Sequence, residues 1–126
     1  MIIFESDAIF NMRDFVIDSK VLLLRGRAPL NVKENHIDIK FVDVKYIDIP
    51  VSLNGIKIKK VVKDQFLDPI FNVINDAPSF KQFIIESENV EYVIGCSGLC
   101  VYYVRDTSFV SSIRKDLKKI KIIASA

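Results

Sequence analysis

The stretch HIDIKFVDVKYIDIP, residues 36–50, decides the fold class because its apolar side chains alternate with charged ones. The apolar residues are Ile37, Ile39 and Phe41, followed in the opposite phase by Val42, Val44 and Tyr46. Side chains of a strand point alternately to its two faces, so one straight strand cannot bury both sets on one side. A tight turn or a bulge near Val42-Asp43 resolves the conflict. We therefore predict two strands, over residues 36–41 and 44–49, with Pro50 ending the second.

These two strands are expected to share a solvated face, on which opposite charges on neighbouring strands contribute about 0.2–1 kcal/mol per pair. The charged residues of that face are Asp38, Lys40, Lys45 and Asp48. The simpler interpretation is that they only solvate an open strand face. Alternatively, the face could meet a basic partner. The candidate partner contacts are then Asp38, Asp43, Asp48 and Tyr46.

Working outward, alternating or short apolar runs separated by turn residues indicate further strands. They are predicted at residues 1–4, 21–27, 83–85, 92–94 and 99–104, with another that includes Ile56 and Ile58. Asn54-Gly55 has the composition of a hairpin turn. A polar turn at residues 87–89 should join two of the strands, and Ser97-Gly98 a further pair.

Helical spacing of apolar residues predicts helices in three places. The first covers residues 8–17. The second covers residues 61–74, where Pro69 would kink or restart it. The third begins at a cap formed by Thr107 or Ser108 and reaches Ile120. The sequence thus predicts one α+β domain over residues 1–126, a mostly antiparallel sheet built from hairpins with two or three helices packed on it.

The charge of the chain is unevenly distributed. Its net charge is +2, but five bases and one acid lie between Arg114 and Lys121. Without this segment, 13 bases and 15 acids remain, so the body of the protein is mildly acidic. The basic segment offers an alternative function, a small nucleic-acid-binding module assisted by exposed tyrosines. A solvated helix face is the preferred interpretation, because the sequence has no RNP-like string and no dominant basic field.

No combination of residues predicts catalysis, a metal or a cofactor. His36 is the only histidine, and no partner acid for it can be identified. An enzyme assembled from scattered residues such as His36, Asp38 and Arg25 is the least favoured hypothesis. Cys96 and Cys100 flank a predicted turn, where oxidation is conceivable, but two buried thiols are the better interpretation. We therefore expect a protein that is not an enzyme.

The first residues contain no basic segment ahead of an apolar stretch, so no signal peptide is expected. No apolar run approaches the ~20 residues that span a bilayer. With two cysteines and no export signal, a cytoplasmic location is predicted.

Residues 22–27, LLLRGR, together with the stretch 36–50, resemble small bacterial immunity proteins, including ones encoded beside contact-dependent growth inhibition toxins. The resemblance implies a cytoplasmic, non-enzymatic protein that binds one cognate toxin domain, often a nuclease, and blocks its active site. This chain lacks the strong acidity of many nuclease inhibitors, which does not favour mimicry of a nucleic-acid substrate. The resemblance assigns no individual residue a role.

Overall fold

The computed structural model describes residues 1–61, 81–105 and 120–126, and every regular element in these ranges is a β-strand. Strands account for 73% of the described residues, so the predicted α+β class is wrong for this part of the chain. Within these ranges there is no helix of the length and apolar character needed to cross a bilayer. The strands are β1 (Ile2–Val16), β2 (Val21–Arg27), β3 (His36–Val42), β4 (Tyr46–Asp48), β5 (Ser52–Lys60), β6 (Lys81–Ser87), β7 (Val90–Cys96), β8 (Gly98–Val104) and β9 (Ile120–Ser125).

The predicted helix over residues 8–17 is instead the second part of β1. Phe10 is fully buried, whereas Ile9 is 55% exposed, which is the alternation of a strand rather than a helical stripe. The helical spacing of Ile9, Met12 and Val16 was therefore coincidental. The helices predicted over residues 61–74 and 107–120 lie outside the described residues, apart from Val61 and from Ile120, which begins β9.

All described strands are antiparallel to their neighbours and form one sheet in the order β4-β7-β6-β5-β1-β2-β3-β8-β9. We call β4, β7, β6 and β5 the first half of the sheet and β2, β3, β8 and β9 the second half, with β1 between them. The single-domain prediction stays a prediction.

Two bent strands join the halves. β3 continues along the chain into β4 through a short bend, and β7 continues into β8 in the same way. β3 pairs with β8, and β4 pairs with β7. The Ser97 N–H donates to the Val42 carbonyl at 3.0 Å, and the Lys45 N–H donates to the Gly95 carbonyl at 2.8 Å. The phase change at Val42-Asp43 thus marks a bend that carries the chain from one half to the other. β3 and β4 do not pair with each other, so the shared face predicted for them does not exist.

The interior of the curled sheet is filled by large apolar side chains from seven of its strands. Phe10 lies against Gly26 of β2, where an added Cβ would come within 2.7 Å of the aromatic ring. A glycine is required there because the ring occupies the space of a side chain. The fully buried members include Phe10, Phe41, Phe83, Leu22, Leu24, Ile39, Ile58, Ile85 and Ile94.

Gly55 lies inside β5 and does not form the predicted hairpin turn. Its φ is +73°, and the β1–β5 register shifts between Ser6 and Ile9 directly opposite it. Two residues of β1 therefore oppose one of β5, as in a β-bulge. The predicted turn is therefore wrong, and the positive φ of Gly55 belongs to the bulge in the β1–β5 ladder.

The predicted hairpin with a polar turn at residues 87–89 is confirmed as β6 and β7. Glu88 and Asn89 connect these strands with φ values of 51° and 63°. Two central residues with positive φ are typical of a tight hairpin turn. The strand predicted at residues 99–104 is confirmed as β8, but Ser97 leads into it through the bend, because β7 and β8 are not neighbours in the sheet.

Candidate functional site

Asp38 is buried on the outer face of β3, so its predicted place on a solvated face is wrong. Arg25 of β2 is its register partner, and the guanidinium binds both carboxylate oxygens, with Nε–Oδ1 at 2.7 Å and Nη2–Oδ2 at 2.9 Å. The Asp38 side chain is 0% exposed and that of Arg25 is 8% exposed. This geometry makes Asp38 a structural ion-pair partner that a protein bound to the surface would not reach.

The burial of Asp38 is part of a second buried layer. Leu22 and Leu24 point into the core, so alternation directs Leu23 and Arg25 to the opposite face of β2. Leu23 is nevertheless fully buried there. Tyr102 and Val104 of β8 are also buried without belonging to the core cluster. The centre of the second half of the sheet is therefore covered on both faces.

Asp43 stabilises the bend between β3 and β4. Its φ is 50°, the Ser97 hydroxyl donates to its Oδ2 at 2.6 Å, and the Lys45 ammonium lies 3.0 Å from its Oδ1. The hydrogen bond from Ser97, followed by that from Lys45, lowers the pKa of Asp43 below its ordinary value of 3.8. The carboxylate thus links the two bent strands while 45% of its side chain stays exposed.

Tyr46 and Asp48 project from β4, a three-residue strand at the end of the sheet order. Ile47, between them, packs against the core, so alternation places Tyr46 and Asp48 on the outward side. Asp48 is exposed and Tyr46 is half-buried. We call Asp43, Tyr46 and Asp48 the β4 corner. Three of the four predicted contacts therefore lie on neighbouring positions of one bent segment.

A face with paired charges does exist, but on strands other than those predicted. Lys57 and Lys59 of β5 lie between β1 and β6, where Lys57 is 3.4 Å from Glu5 and Lys59 is 2.9 Å from Glu86. The hydrogen bond between Lys59 and Glu86 raises the pKa of the lysine and lowers that of the glutamate. These partners are partly exposed, so each pair stabilises the fold only weakly.

The two cysteines occupy different environments. Cys96 is fully buried in the core, its thiol donates to the Gly98 carbonyl at 3.4 Å, and burial raises its pKa to about 12. Cys100 is only half-buried, and it alternates with Leu99 and Val101, both core residues, so it points to the other face. Burial is thus confirmed for Cys96, and both thiols are free.

His36 begins β3 opposite Arg27 and Val104, at the far end of this strand from the β4 corner. Asp38, two residues along, is held by Arg25. In the ranges that the structure describes, no group of three or more histidine, cysteine, aspartate or glutamate side chains could hold a metal ion.

A cavity of about 840 Å³, which sequence reasoning missed, lies beside the first part of β1. One wall is formed by residues 4–9 and the other by residues 27–30 with Ile37 and Tyr103. The sequence contained one signal for this cavity: Ala28-Pro29 ends β2 after seven residues, whereas β1 has 15 residues.

Neither a family model, nor a curated protein, nor a solved structure matches this chain.

Proposed function

We propose that this protein is a non-enzymatic, cytoplasmic interaction protein that binds one cognate bacterial toxin domain and neutralises it. The proposal starts from the resemblance of residues 22–27 and 36–50 to small immunity proteins. These segments fall on β2, β3, the bend and β4, which are contiguous in the fold. The resemblance therefore covers one connected part of the molecule.

The observation that carries the proposal is the geometry of the β4 corner. Ile47 anchors β4 in the core, and the contacts of Asp43 with Ser97 and Lys45 hold the bend. Tyr46 and Asp48 are thus presented outward from a well-supported element. A preorganised surface loses little conformational entropy when it binds, and tyrosine is enriched in protein interfaces.

The charge of this corner favours a basic partner. Asp43 and Asp48 contribute two carboxylates and Lys45, which lies 3.0 Å from Asp43, contributes one positive charge, so the net charge of the three is −1. A toxin that cleaves nucleic acid needs a basic cleft for the phosphate backbone of its substrate. Carboxylates placed at the rim of such a cleft would accelerate association and fix orientation. Coverage of the cleft by the corner would exclude the substrate.

The test is co-purification with the protein that the adjacent reading frame encodes, followed by measurement of affinity and of the residual toxicity of that protein. We expect a stable equimolar complex and an inactive toxin. The double variant Tyr46→Ala/Asp48→Lys should weaken binding by about 100-fold, the loss expected when central interface contacts are removed.

The matched control is Glu34→Lys, which makes the same charge change as Asp48→Lys in the loop before β3, at the far end of that strand from the bend. It should leave affinity within about two-fold of the unmodified protein. Failure to bind the adjacent toxin domain would contradict the proposal. Salt-sensitive binding to RNA, with the toxin left active, would instead favour the alternative nucleic-acid-binding function.

A further inference from the structure

Among the residues that the structure describes, no strand pairs with the β2 side of the first part of β1. β1 extends over 15 residues, but β2 pairs only with residues 10–16, and the last pair is Phe10 with Gly26. The chain then turns away from β1, since the Ala28 N–H donates to the Asn35 carbonyl at 3.1 Å. Among the described residues, the β2 side of residues 2–9 therefore has no ladder partner. Such an edge is a template for another strand.

The cavity lies along this same edge. Residues 4–9 form one of its walls, and buried Phe4 and Ile37 contribute apolar surface. Two apolar side chains in the lining are strongly exposed, Leu30 at 92% and Ile9 at 55%. Apolar surface beside an open edge could be covered by an extended peptide, which presents backbone and side chains together.

The charges of the lining define the chemistry of that peptide. Glu5 and Asp7, both exposed, lie on the β1 wall, and Arg27 lies on the other wall. Glu5 is also 3.4 Å from Lys57 of β5 but keeps more than half of its side chain exposed. Residues directly opposite each other on paired strands interact most strongly. A strand added to β1 would therefore be favoured by basic side chains opposite Glu5 and Asp7.

We propose that residues 2–9 of β1 accept an extended segment of a protein partner as an additional strand. Alternate apolar side chains of this segment enter the cavity, and the basic side chains between them face Glu5 and Asp7. The inference rests on the proposed function only in taking the partner to be a protein. A toxin would supply the segment at a surface separate from the β4 corner.

The test uses the full chain, labelled with ¹⁵N, and the acetylated and amidated peptide VKVKVKV. We expect amide signals of residues 3–9 to shift, and hydrogen exchange of those amides in this stretch that point away from β5 to slow by about tenfold or more at saturation. The peptide VEVEVEV should bind about fivefold more weakly or worse, because its carboxylates would face Glu5 and Asp7. A version of VKVKVKV with N-methylated backbone should not bind, since it cannot complete the ladder.

Glu5→Gln/Asp7→Asn should remove most of the preference for lysine over glutamate while the fold is retained. The matched control, Glu88→Gln/Glu91→Gln, neutralises two exposed acids on the β6–β7 hairpin and should keep the preference. Because no toxin is present, this experiment can fail while the toxin complex still forms, and the reverse also holds.

Three results would overturn the proposal. The first is an absence of change in residues 3–9 at millimolar peptide. The second is a response confined to the cavity walls at Ile37 and Tyr103 without slower exchange in β1, which would assign the cavity to a small apolar ligand. The third is concentration-dependent protection of β1 without peptide, which would assign the edge to a second copy of this chain.

Discussion

Arg25 and Asp38 show how burial changes the role of a residue that looks solvated in the sequence. Alternation in residues 36–41 correctly placed Asp38 opposite the core, but it contains no information on what covers that opposite face. The run of Leu22, Leu23 and Leu24 contained the missing signal, because a strand with consecutive apolar residues is buried on both faces. The strands that pair with such a strand should then also be covered on both faces.

Removal of one partner of this pair should be much more damaging than removal of both. Asp38→Ala removes the carboxylate that binds the buried Arg25 guanidinium, so we expect the free energy of unfolding to fall by about 3–5 kcal/mol. Arg25→Met/Asp38→Leu replaces the pair with apolar groups of similar size and should be close to neutral. Urea unfolding at pH 7 measures both.

Asp48→Ala is the control for this comparison, since Asp48 is exposed on β4, and it should change stability by no more than about 0.5 kcal/mol. If the double variant loses as much stability as Asp38→Ala, the pair contributes net stability that apolar packing cannot replace. That outcome would contradict our account of a desolvated pair whose two halves compensate each other.

At the scale of elements, local patterns located strands well and misjudged how they connect. The phase change at Val42-Asp43 gave the correct position of the irregularity. A turn and a bend shift the phase in the same way, so the pattern could not distinguish them. The deciding contact comes from Ser97, which is more than fifty residues away in the chain. Asn54-Gly55 was misread for the same reason, since the bulge at Gly55 depends on the register with β1.

The Asp43 interactions make the stability of the bend depend on pH. The folded-state pKa of Asp43 is lowered, so the stabilisation is present above its ordinary pKa of 3.8 and is lost as pH falls through the folded-state value. Asp43→Asn imitates the protonated carboxyl and tolerates positive φ. The difference in urea midpoint between the unmodified protein and this variant should therefore be largest near pH 7 and shrink toward zero below pH 3.8.

Ser97→Ala removes the main cause of the lowered pKa and should flatten this pH dependence in the Asp43-containing protein. A midpoint difference that stays constant between neutral and acidic pH would show that the Asp43→Asn variant is disfavoured for a conformational reason. The charge of Asp43 would then not be what holds the bend.

For the whole molecule, the limit of sequence reasoning is set by long-range pairing. β1 pairs with β5, and β3 pairs with β8, across segments whose own patterns specify only a strand and its buried face. The candidate contacts divide in the same way. Asp43, Tyr46 and Asp48 stay together because they are close in sequence. Asp38 lies apart from them because the strands that pack beside β3 bury it. The cavity arises from the unequal lengths of β1 and β2.

The continuity of the two bent strands predicts that the halves of the sheet unfold together. β3 continues into β4 and β7 into β8, so neither half can separate without breaking the ladder across the bend. Amide exchange should therefore give Leu23 of β2 and Phe83 of β6, both fully buried, opening free energies within about 1 kcal/mol of each other and of global unfolding. If the opening free energy of Phe83 were several kcal/mol below that of Leu23, the halves would be separate cooperative units and the bends would act as hinges. Hinges would weaken the case for a preorganised β4 corner, so this exchange experiment also tests the physical basis of the proposed binding surface.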